Sequence, residues 1–290
     1  MPLFRKKSQS QSQAERLASW RSDALRAGGR ADDGLGPLLD EIGADASEHR
    51  RGWVVELVGS RVFLATIHDG TALSAWAPIE DTHDAGELAA LLQRNLDPRL
   101  VWTSLGDDEL GARFAVPLDG FDRGAVLLAL ETIAATLGDE ALATRAREAR
   151  EPARGEAAEQ EANARAADAV TAGLDAVGLP AAADPERPGV WRVTVDRGVI
   201  ETVLRDTGES LFLMHELEYT GGDDNAEILR WLLQASDWNS ARLGLAPLPG
   251  GPGLFAASAV PAGALEPQAL AWGVEQVLRL AEDYDERAGG

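Results

Sequence analysis

Four histidines are the side chains in this 290-residue sequence best suited to acid–base or metal chemistry. A metal site on one helix needs two imidazoles at His-x-x-x-His or His-Glu-x-x-His spacing, and none of the four histidines has it. Cysteine is absent, so a zinc site would require the fold to bring histidines and carboxylates together. We expect no metal ligand and no cofactor. Two of the histidines precede a turn or a helix cap and one lies in an apolar strand; the four are His49, His68, His83 and His215.

Two loops resemble ligand-binding motifs but lack the residues that complete them. Gly221–Asn225 has neither the alternating carboxylates nor the distant glutamate of a calcium loop, so it predicts a turn before a helix cap at Asp224. Gly250–Gly253 lacks the Lys-Ser or Lys-Thr of a phosphate loop and predicts a hairpin. No Gly-x-Ser-x-Gly nucleophile elbow occurs. We therefore expect no catalytic residues, and we expect that the protein is not an enzyme. A hydrolase whose catalytic residues are brought together only by the fold is a third alternative, after the two functions given at the end of this section.

Eight tryptophans are the most distinctive side chains, because this residue type is enriched where proteins meet. Most of them are predicted to lie in the core. Trp231 flanks Leu232, and Trp272 lies between Leu270 and Val274, so both are predicted to project outward. The run from Leu211 to Met214 lacks alternation and predicts a strand covered on both faces by the other half or by a partner. The candidate partner-binding residues are Trp231, Trp272, Phe212 and Met214.

The elements that position these side chains occur twice in the same order. Leu39–Gly43 matches Leu174–Gly178, and the strand opened by Trp53 matches the one opened by Trp191. Further matches join short segments of both halves: Leu91–Gln93 with Leu232–Gln234, Ala115–Pro117 with Ala259–Pro261, and Val126, Leu130, Glu131 and Ile133 with Leu270, Val274, Glu275 and Val277. A constant order of weak matches is the mark of an internal repeat.

Each half is predicted to run helix, three strands, helix, two strands, helix. Short turns at Gly59-Ser60 and Asp69-Gly70 imply antiparallel hairpins, and helices at intervals along an antiparallel sheet give an α+β fold. The predicted boundaries divide the chain into five segments: an N-terminal tail with a short helix (1–34), a first domain (35–138), an Ala/Arg/Glu-rich helical spacer with a solvated face (139–163), a second domain (164–285) and a C-terminal tail (286–290).

Composition limits the partners and the compartment. The formal charge of −21 repels a phosphate backbone, so no nucleic acid is expected. No apolar run is long enough for a membrane span, and the N-terminus lacks the apolar core of a secretory signal. Together with the absence of cysteine, these features favour the cytoplasm.

The segment from Leu232 to Tyr284 supplies a family resemblance. A Leu-Leu-x-x-x-x-Trp-Asn helix end (Leu232, Leu233, Trp238 and Asn239) precedes a strand pair, a Val-Pro dipeptide and an amphipathic helix. This order resembles the YbjN family of bacterial sensory-transduction regulators, whose fold resembles the type III secretion chaperones. The first half resembles it more loosely, with Leu96 and Pro98 near the Trp and Asn positions. The resemblance implies two tandem chaperone-like domains around twisted antiparallel sheets and transfers no catalytic residue.

Two functions remain open from the sequence. The first is a non-enzymatic protein-binding or chaperone-like module that engages an unidentified client protein through sheet or helix surfaces. Because those chaperones commonly dimerise, the chain is expected to be a monomeric pseudo-dimer or a homodimer. The alternative is a small-molecule sensor with a ligand in the cleft between the two halves.

Overall fold

The computed structural model describes residues 12–17, 34–49, 52–67, 72–97, 100–106, 109–117, 123–150, 169–196, 198–204, 210–219, 221, 225–236, 240–261 and 267–288. The helices are α1 (13–17), α2 (Leu35–Glu41), α3 (Ala85–Arg94), α4 (Arg123–Thr136), α5 (Glu140–Arg150), α6 (169–176), α7 (Ala226–Ala235) and α8 (Pro267–Ala288). The strands are β1 (Ala46–His49), β2 (Gly52–Leu57), β3 (Ser60–Ile67), β4 (Ala72–Pro78), β5 (Val101–Gly106), β6 (Glu109–Pro117), β7 (Ala181–Ala183), β8 (Val190–Val195), β9 (Gly198–Leu204), β10 (Ser210–Leu217), β11 (Arg242–Leu248) and β12 (Gly251–Pro261).

The strands form two six-stranded antiparallel sheets with one shared topology. The first sheet has the order β1-β2-β3-β4-β6-β5, and the second has the corresponding order β7-β8-β9-β10-β12-β11. The α+β prediction is therefore confirmed at this level. Each half has four strands before its middle helix, so the prediction of three was wrong. The extra strands, β1 and β7, are short and mostly exposed, and pairing with β2 and β8 forms them.

The residue matches found in the sequence coincide with matching backbone positions. Gly43 and Gly178 both end a helix in the left-handed region, at φ 62° and 69°. At both ends the amide of the following residue bonds the carbonyl of the matched leucine: Ala44 bonds Leu39 at 2.9 Å, and Leu179 bonds Leu174 at 3.0 Å. Glycine adopts this conformation without the strain of a side chain, which explains why glycine stands at both positions.

The middle helix of each half, α3 in the first and α7 in the second, begins at a capping residue. The sequence predicted this residue for α3 and missed it for α7. Asp84 lies three residues before Glu87, a spacing that predicts a helix cap, and it caps α3 by accepting a hydrogen bond from the amide of Glu87 at 3.0 Å. In the second half the cap is Asn225, which accepts from Glu227 and Ile228 at 3.0 and 3.3 Å. The predicted cap at Asp224 was one residue too early, and Asn225 restores the register with the first half.

One face of each sheet carries the helices and the core. In the first half, alternate strand residues such as Leu64, Leu73 and Phe114 pack against α2, α4 and α5. The prediction of a solvated spacer was wrong for α5, because Leu142, Ala143 and Ala146 are buried. Alanines on an otherwise charged helix bury a narrow apolar stripe, which a count of charged residues conceals. Pro152 interrupts the Ala/Arg/Glu-rich segment and predicts a break in its helix, and this residue lies outside the described ranges.

Each half is completed by one further helix, taken from a different place in the chain. Helix α5 follows the first half, and its capping residue Asp139 accepts a hydrogen bond from the amide of Val58 in the β2–β3 turn at 3.2 Å. Helix α1 buries Ala14 and Leu17 in the core of the second half. There, Gln13 accepts from the amide of Asp196 at 2.8 Å. Val58 and Asp196 occupy matching turn positions, so α1 supports the second half at the turn where α5 supports the first.

The two halves contact each other reciprocally. Helix α3 packs on α7 and on β11, while α7 packs on α3 and on β5. Asn95, at the end of α3, donates to the carbonyl of Leu243 at 3.0 Å. Trp102 donates its indole N–H to the carbonyl of Ser236, at the matching end of α7, at 3.4 Å. Such exchange of equivalent contacts is the pattern of a two-fold interface between identical subunits.

Arg242 lies at the centre of this interface. It occupies the position in β11 that Trp102 occupies in β5, as the pairings to Ala257 and Arg113 show. Its guanidinium lies 5.6 Å from the Trp102 ring centroid and 4.9 Å from that of Phe212, and it donates to the carbonyl of Asp97 at 3.0 Å. Burial lowers the pKa of Arg242 to about 9, and the nearby charge of Asp97 opposes this shift. The side chain therefore remains a cation at neutral pH.

Candidate binding surface

Two of the four predicted partner-binding residues lie in the core. Trp272 is 0 % exposed and Phe212 is 2 % exposed, so the prediction that Trp272 projects outward was wrong. Trp272 lies on α8, which packs on β10 and β12, and every residue from Ala269 to Leu278 on that helix is buried. Phe212 packs against the cluster formed by the first half. This confirms the expectation that its strand is covered on both faces.

The other two predicted residues are half-buried. Trp231 packs at the edge of the second core, with its ring centroid 5.9 Å from that of Tyr284. Burial raises the pKa of the Tyr284 hydroxyl, and the charge of Glu218 raises it further. The hydroxyl donates a hydrogen bond to the backbone carbonyl of Glu218 at 3.3 Å. Met214 lies on the sheet face opposite α8. Phe212 and Met214 pack on the cluster of the first half, whereas Trp231 and Trp272 pack in the cluster of the second, so the four residues do not form one surface.

The described histidines lie in the core, in an exposed pair with an aspartate, or on an exposed edge strand. His215 is buried, and its Nδ1 lies 3.1 Å from the carbonyl oxygen of Val199. His83 lies 3.6 Å from Asp81 in an exposed pair, His49 is on the exposed edge strand β1, and His68 is outside the described residues. Within the described ranges, no group of three or more histidine and acidic side chains is arranged to hold a metal ion.

A different surface lies on the face of the first sheet opposite the helices. Val54, Phe63 and Trp76 come from β2, β3 and β4 and are adjacent in the strand register. We call these three residues the aromatic strip. All three are half-buried, and they alternate along their strands with the core residues Val55, Leu64 and Ala75. Among the described helices, α2, α4 and α5 pack on the opposite face.

The rings of the aromatic strip hold each other in place. Phe63 and Trp76 have ring centroids 5.8 Å apart at a tilt of 41°, an arrangement that aromatic pairs favour. The exposed Arg61 places its guanidinium 5.1 Å from the centroid of Phe63. The indole of Trp76 covers Gly111 on β6, where a methyl group would clash with the ring nitrogen. The strip is therefore an ordered apolar surface with a cation at its side.

The matching positions of the second half have a different chemistry. Val54, Phe63 and Trp76 correspond in register to Arg192, Glu201 and Met214. Glu201 accepts from Arg187 at 2.9 Å and lies 3.7 Å from Arg192. At two of the three matching positions, this face of the second sheet therefore carries ion-paired side chains. Because the backbone is shared, the apolar character of the first face comes from its side chains and not from its fold.

The sequence contained a signal for the aromatic strip. Along β3 and β4 the core positions alternate with Phe63 and Trp76, and a half-solvated antiparallel strand normally places polar residues at such positions. Comparing the two repeats position by position identifies the strip, because the first repeat is apolar at all three positions and the second at only one. The prediction instead relied on helical tryptophans, whose exposure depends on how the helix packs.

Comparison of the chain with protein-family models, with curated proteins and with solved structures gives no match. In the part of the chain that the structure describes, no helix combines the length and apolar character needed to cross a bilayer.

Proposed function

We propose that this chain is a non-enzymatic protein-binding module, built from two YbjN-like, type III secretion chaperone-like domains that pair within one polypeptide. The shared strand order of the two sheets and their reciprocal contacts support a duplicated, dimer-like scaffold. Internal duplication also accounts for the residue matches, which fall at equivalent turns, caps and strands.

The observation that carries the proposal is the aromatic strip. Ordered apolar side chains on a sheet face that no described helix covers indicate a contact surface, and aromatic residues supply much of the energy in protein interfaces. The strip suits an apolar segment of a client protein. Beside it, Arg61 favours a client with an acidic residue next to its apolar anchor, because a guanidinium binds a carboxylate in a planar, two-bonded geometry.

A site-specific cross-linking experiment tests this function. Phe63 is replaced by the photoreactive residue p-benzoylphenylalanine, and the full chain is irradiated in a lysate of its own source. We expect discrete cross-linked products from position 63. The matched control carries the same residue at Val199, an exposed apolar position of the second sheet that is 47 % accessible, and it should give none of these products.

A double substitution converts the strip to the chemistry of the second half. Val54→Arg with Phe63→Glu introduces the residues that the same backbone already carries at Arg192 and Glu201. Loss of an aromatic anchor costs about 2 kcal/mol or more, so client affinity should fall about thirtyfold with the unfolding temperature maintained. Equal cross-linking at positions 63 and 199, or unchanged client affinity in the double variant, would contradict the proposal.

A further inference from the structure

A cavity of about 740 Å³ opens beside the sheet of the first half, between the end of α3, strand β5 and helices α4 and α5. Its apolar lining includes Leu91, Val101, Trp102 and Leu128. Small-molecule sites typically have volumes of roughly 300–1,000 Å³ and mainly apolar walls with a few polar groups. The ligand cleft expected from the sequence lay between the two halves, whereas this cavity is lined by residues 79–150 alone.

Three arginines line the same cavity. Arg94 comes from α3, and Arg147 and Arg150 come from α5. Only two carboxylates, Asp97 and Glu131, lie among the lining residues, so the lining is formally positive in a chain with a net charge of −21. The net negative charge of the chain repels small anions. A site for an anion in this protein therefore needs a local excess of positive charge, which these arginines supply.

Glu131 fixes two of these arginines. It accepts from Nε of Arg147 at 2.7 Å, and from Nε and Nη2 of Arg150 at 3.1 and 2.9 Å. The Glu131 side chain is 12 % exposed, so the contacts are largely shielded from solvent. Guanidinium groups held in this way present planar sets of N–H donors that suit carboxylate and phosphate oxygens. Arg94 has no ion pair with any other described residue, and its side chain is exposed.

The matching positions of the second half carry different side chains. Leu128 on α4 corresponds to Trp272 on α8, which is completely buried. Thr132 corresponds to Gln276, whose Oε1 accepts from the amide of Ser240 at 3.3 Å. Arg94 corresponds to the buried Ala235. At these two positions α8 therefore carries larger, buried side chains where α4 carries the cavity-lining residues Leu128 and Thr132.

We propose that this cavity binds a small organic anion, with its carboxylate or phosphate group on Arg94, Arg147 and Arg150 and its apolar body against Leu91, Val101 and Leu128. This site goes beyond the protein-binding function and does not rest on it, because the aromatic strip is separate from the residues that line the cavity.

Isothermal titration of the full chain with two anionic probes, benzoate and phenyl phosphate, tests the site. Benzyl alcohol serves as the neutral comparison. We expect saturable binding of at least one anion, and at least tenfold weaker binding of the alcohol. The exposed-site variant Arg94→Gln should weaken the anion about tenfold, as expected when one charge-assisted hydrogen bond is lost. The control variant Arg123→Gln removes an exposed arginine of α4 that pairs with Glu41 outside the cavity, and it should bind as the wild type does.

A second variant fills the cavity in the manner of the second half. Leu128→Trp places the residue of position 272 on α4 and should abolish binding. Circular dichroism and thermal unfolding show whether the Leu128→Trp variant is folded. If it is not, the anion affinity of Arg94→Gln tests the proposal. Absence of saturable binding by either anion would overturn the proposal. So would wild-type affinity in Arg94→Gln or in a folded Leu128→Trp variant.

Discussion

At the scale of single residues, Arg242 joins the two halves through its contacts with Trp102 and Asp97. A fully buried cation is costly unless it is well paired, and here two aromatic faces and one carbonyl surround it. Its folded-state pKa of about 9 lies well below the ordinary value of an arginine. The cost of burying its charge is therefore constant below about pH 9 and decreases only at higher pH, where the folded state releases the proton first.

Replacing Arg242 by alanine should lower the free energy of unfolding by about 3 kcal/mol. The change leaves a cavity between two rings and removes the hydrogen bond to Asp97. Urea denaturation at pH 7 measures the loss. Arg187→Ala removes an exposed arginine with two ion pairs, and its loss of stability should be much smaller because solvent screens such pairs. Equal losses in the two variants would show that the buried arginine has no special role in stability.

At the scale of elements, the sequence predicted those helices and strands whose signals are local. Glycines 43 and 178, the cap at Asp84 and the capping box at Ser12 all act within one helical turn. In that box the Ser12 amide donates to Glu15, and the Glu15 amide donates to the Ser12 hydroxyl, at 3.0 and 3.2 Å. Ten strands were predicted from their apolar pattern. Strands β1 and β7 carry no such pattern and exist because a neighbour pairs with them.

The candidate sites depend on packing between segments that are distant in the sequence, so the sequence alone did not predict them. Trp272 was predicted to be exposed because its neighbours defined an apolar stripe, yet α8 is enclosed around most of its circumference. Two of the three cavity arginines, Arg147 and Arg150, lie on α5, which the sequence predicted to be a spacer. The aromatic strip was visible only as strand tryptophan and phenylalanine, and its exposure follows from the absence of a described helix on that face.

Helices α1 and α5 lead to a paired prediction. Leu17→Ala on α1 should cost about 2–3 kcal/mol, because Leu17 is buried in the second core. Hydrogen exchange should accelerate at the Asp196 amide, which Gln13 covers, and should not change at Val58. Leu142→Ala on α5 should produce the reverse pattern, with faster exchange at Val58 alone. Uniform acceleration at both amides in either variant would contradict separate support of the two halves.

At the scale of the whole molecule, an ion pair at the surface also connects the halves. Arg230 on α7 donates to Asp81, which precedes α3, at 3.0 Å, and to the carbonyl of Thr82 at 2.7 Å. The hydrogen bond from Arg230 lowers the pKa of Asp81 below its ordinary value of 3.8. A carboxylate whose pKa is lowered in the folded state adds stability above its unfolded pKa, and this contribution is lost as the pH falls through the folded value.

Asp81→Asn should therefore be less stable than the wild type near pH 7, and the difference should disappear as the pH falls below 3.8. Urea denaturation at several pH values measures both curves. Asp175→Asn, at an exposed residue of α6 with no ion pair to a described residue, should follow the wild-type curve throughout. A difference between wild type and Asp81→Asn that persists at the lowest pH would assign the effect to packing and not to charge.

The reciprocal contacts between the halves have a consequence for how this protein can change. Two separate subunits of this kind would part on dilution, since their association depends on concentration, whereas a tethered pair stays together at any concentration. A homodimer also receives every substitution twice. In this chain, by contrast, each substitution changes one half only. One half can therefore acquire apolar rings or an arginine-lined cavity while the other keeps ion pairs and larger buried side chains, so the two halves can evolve different functions.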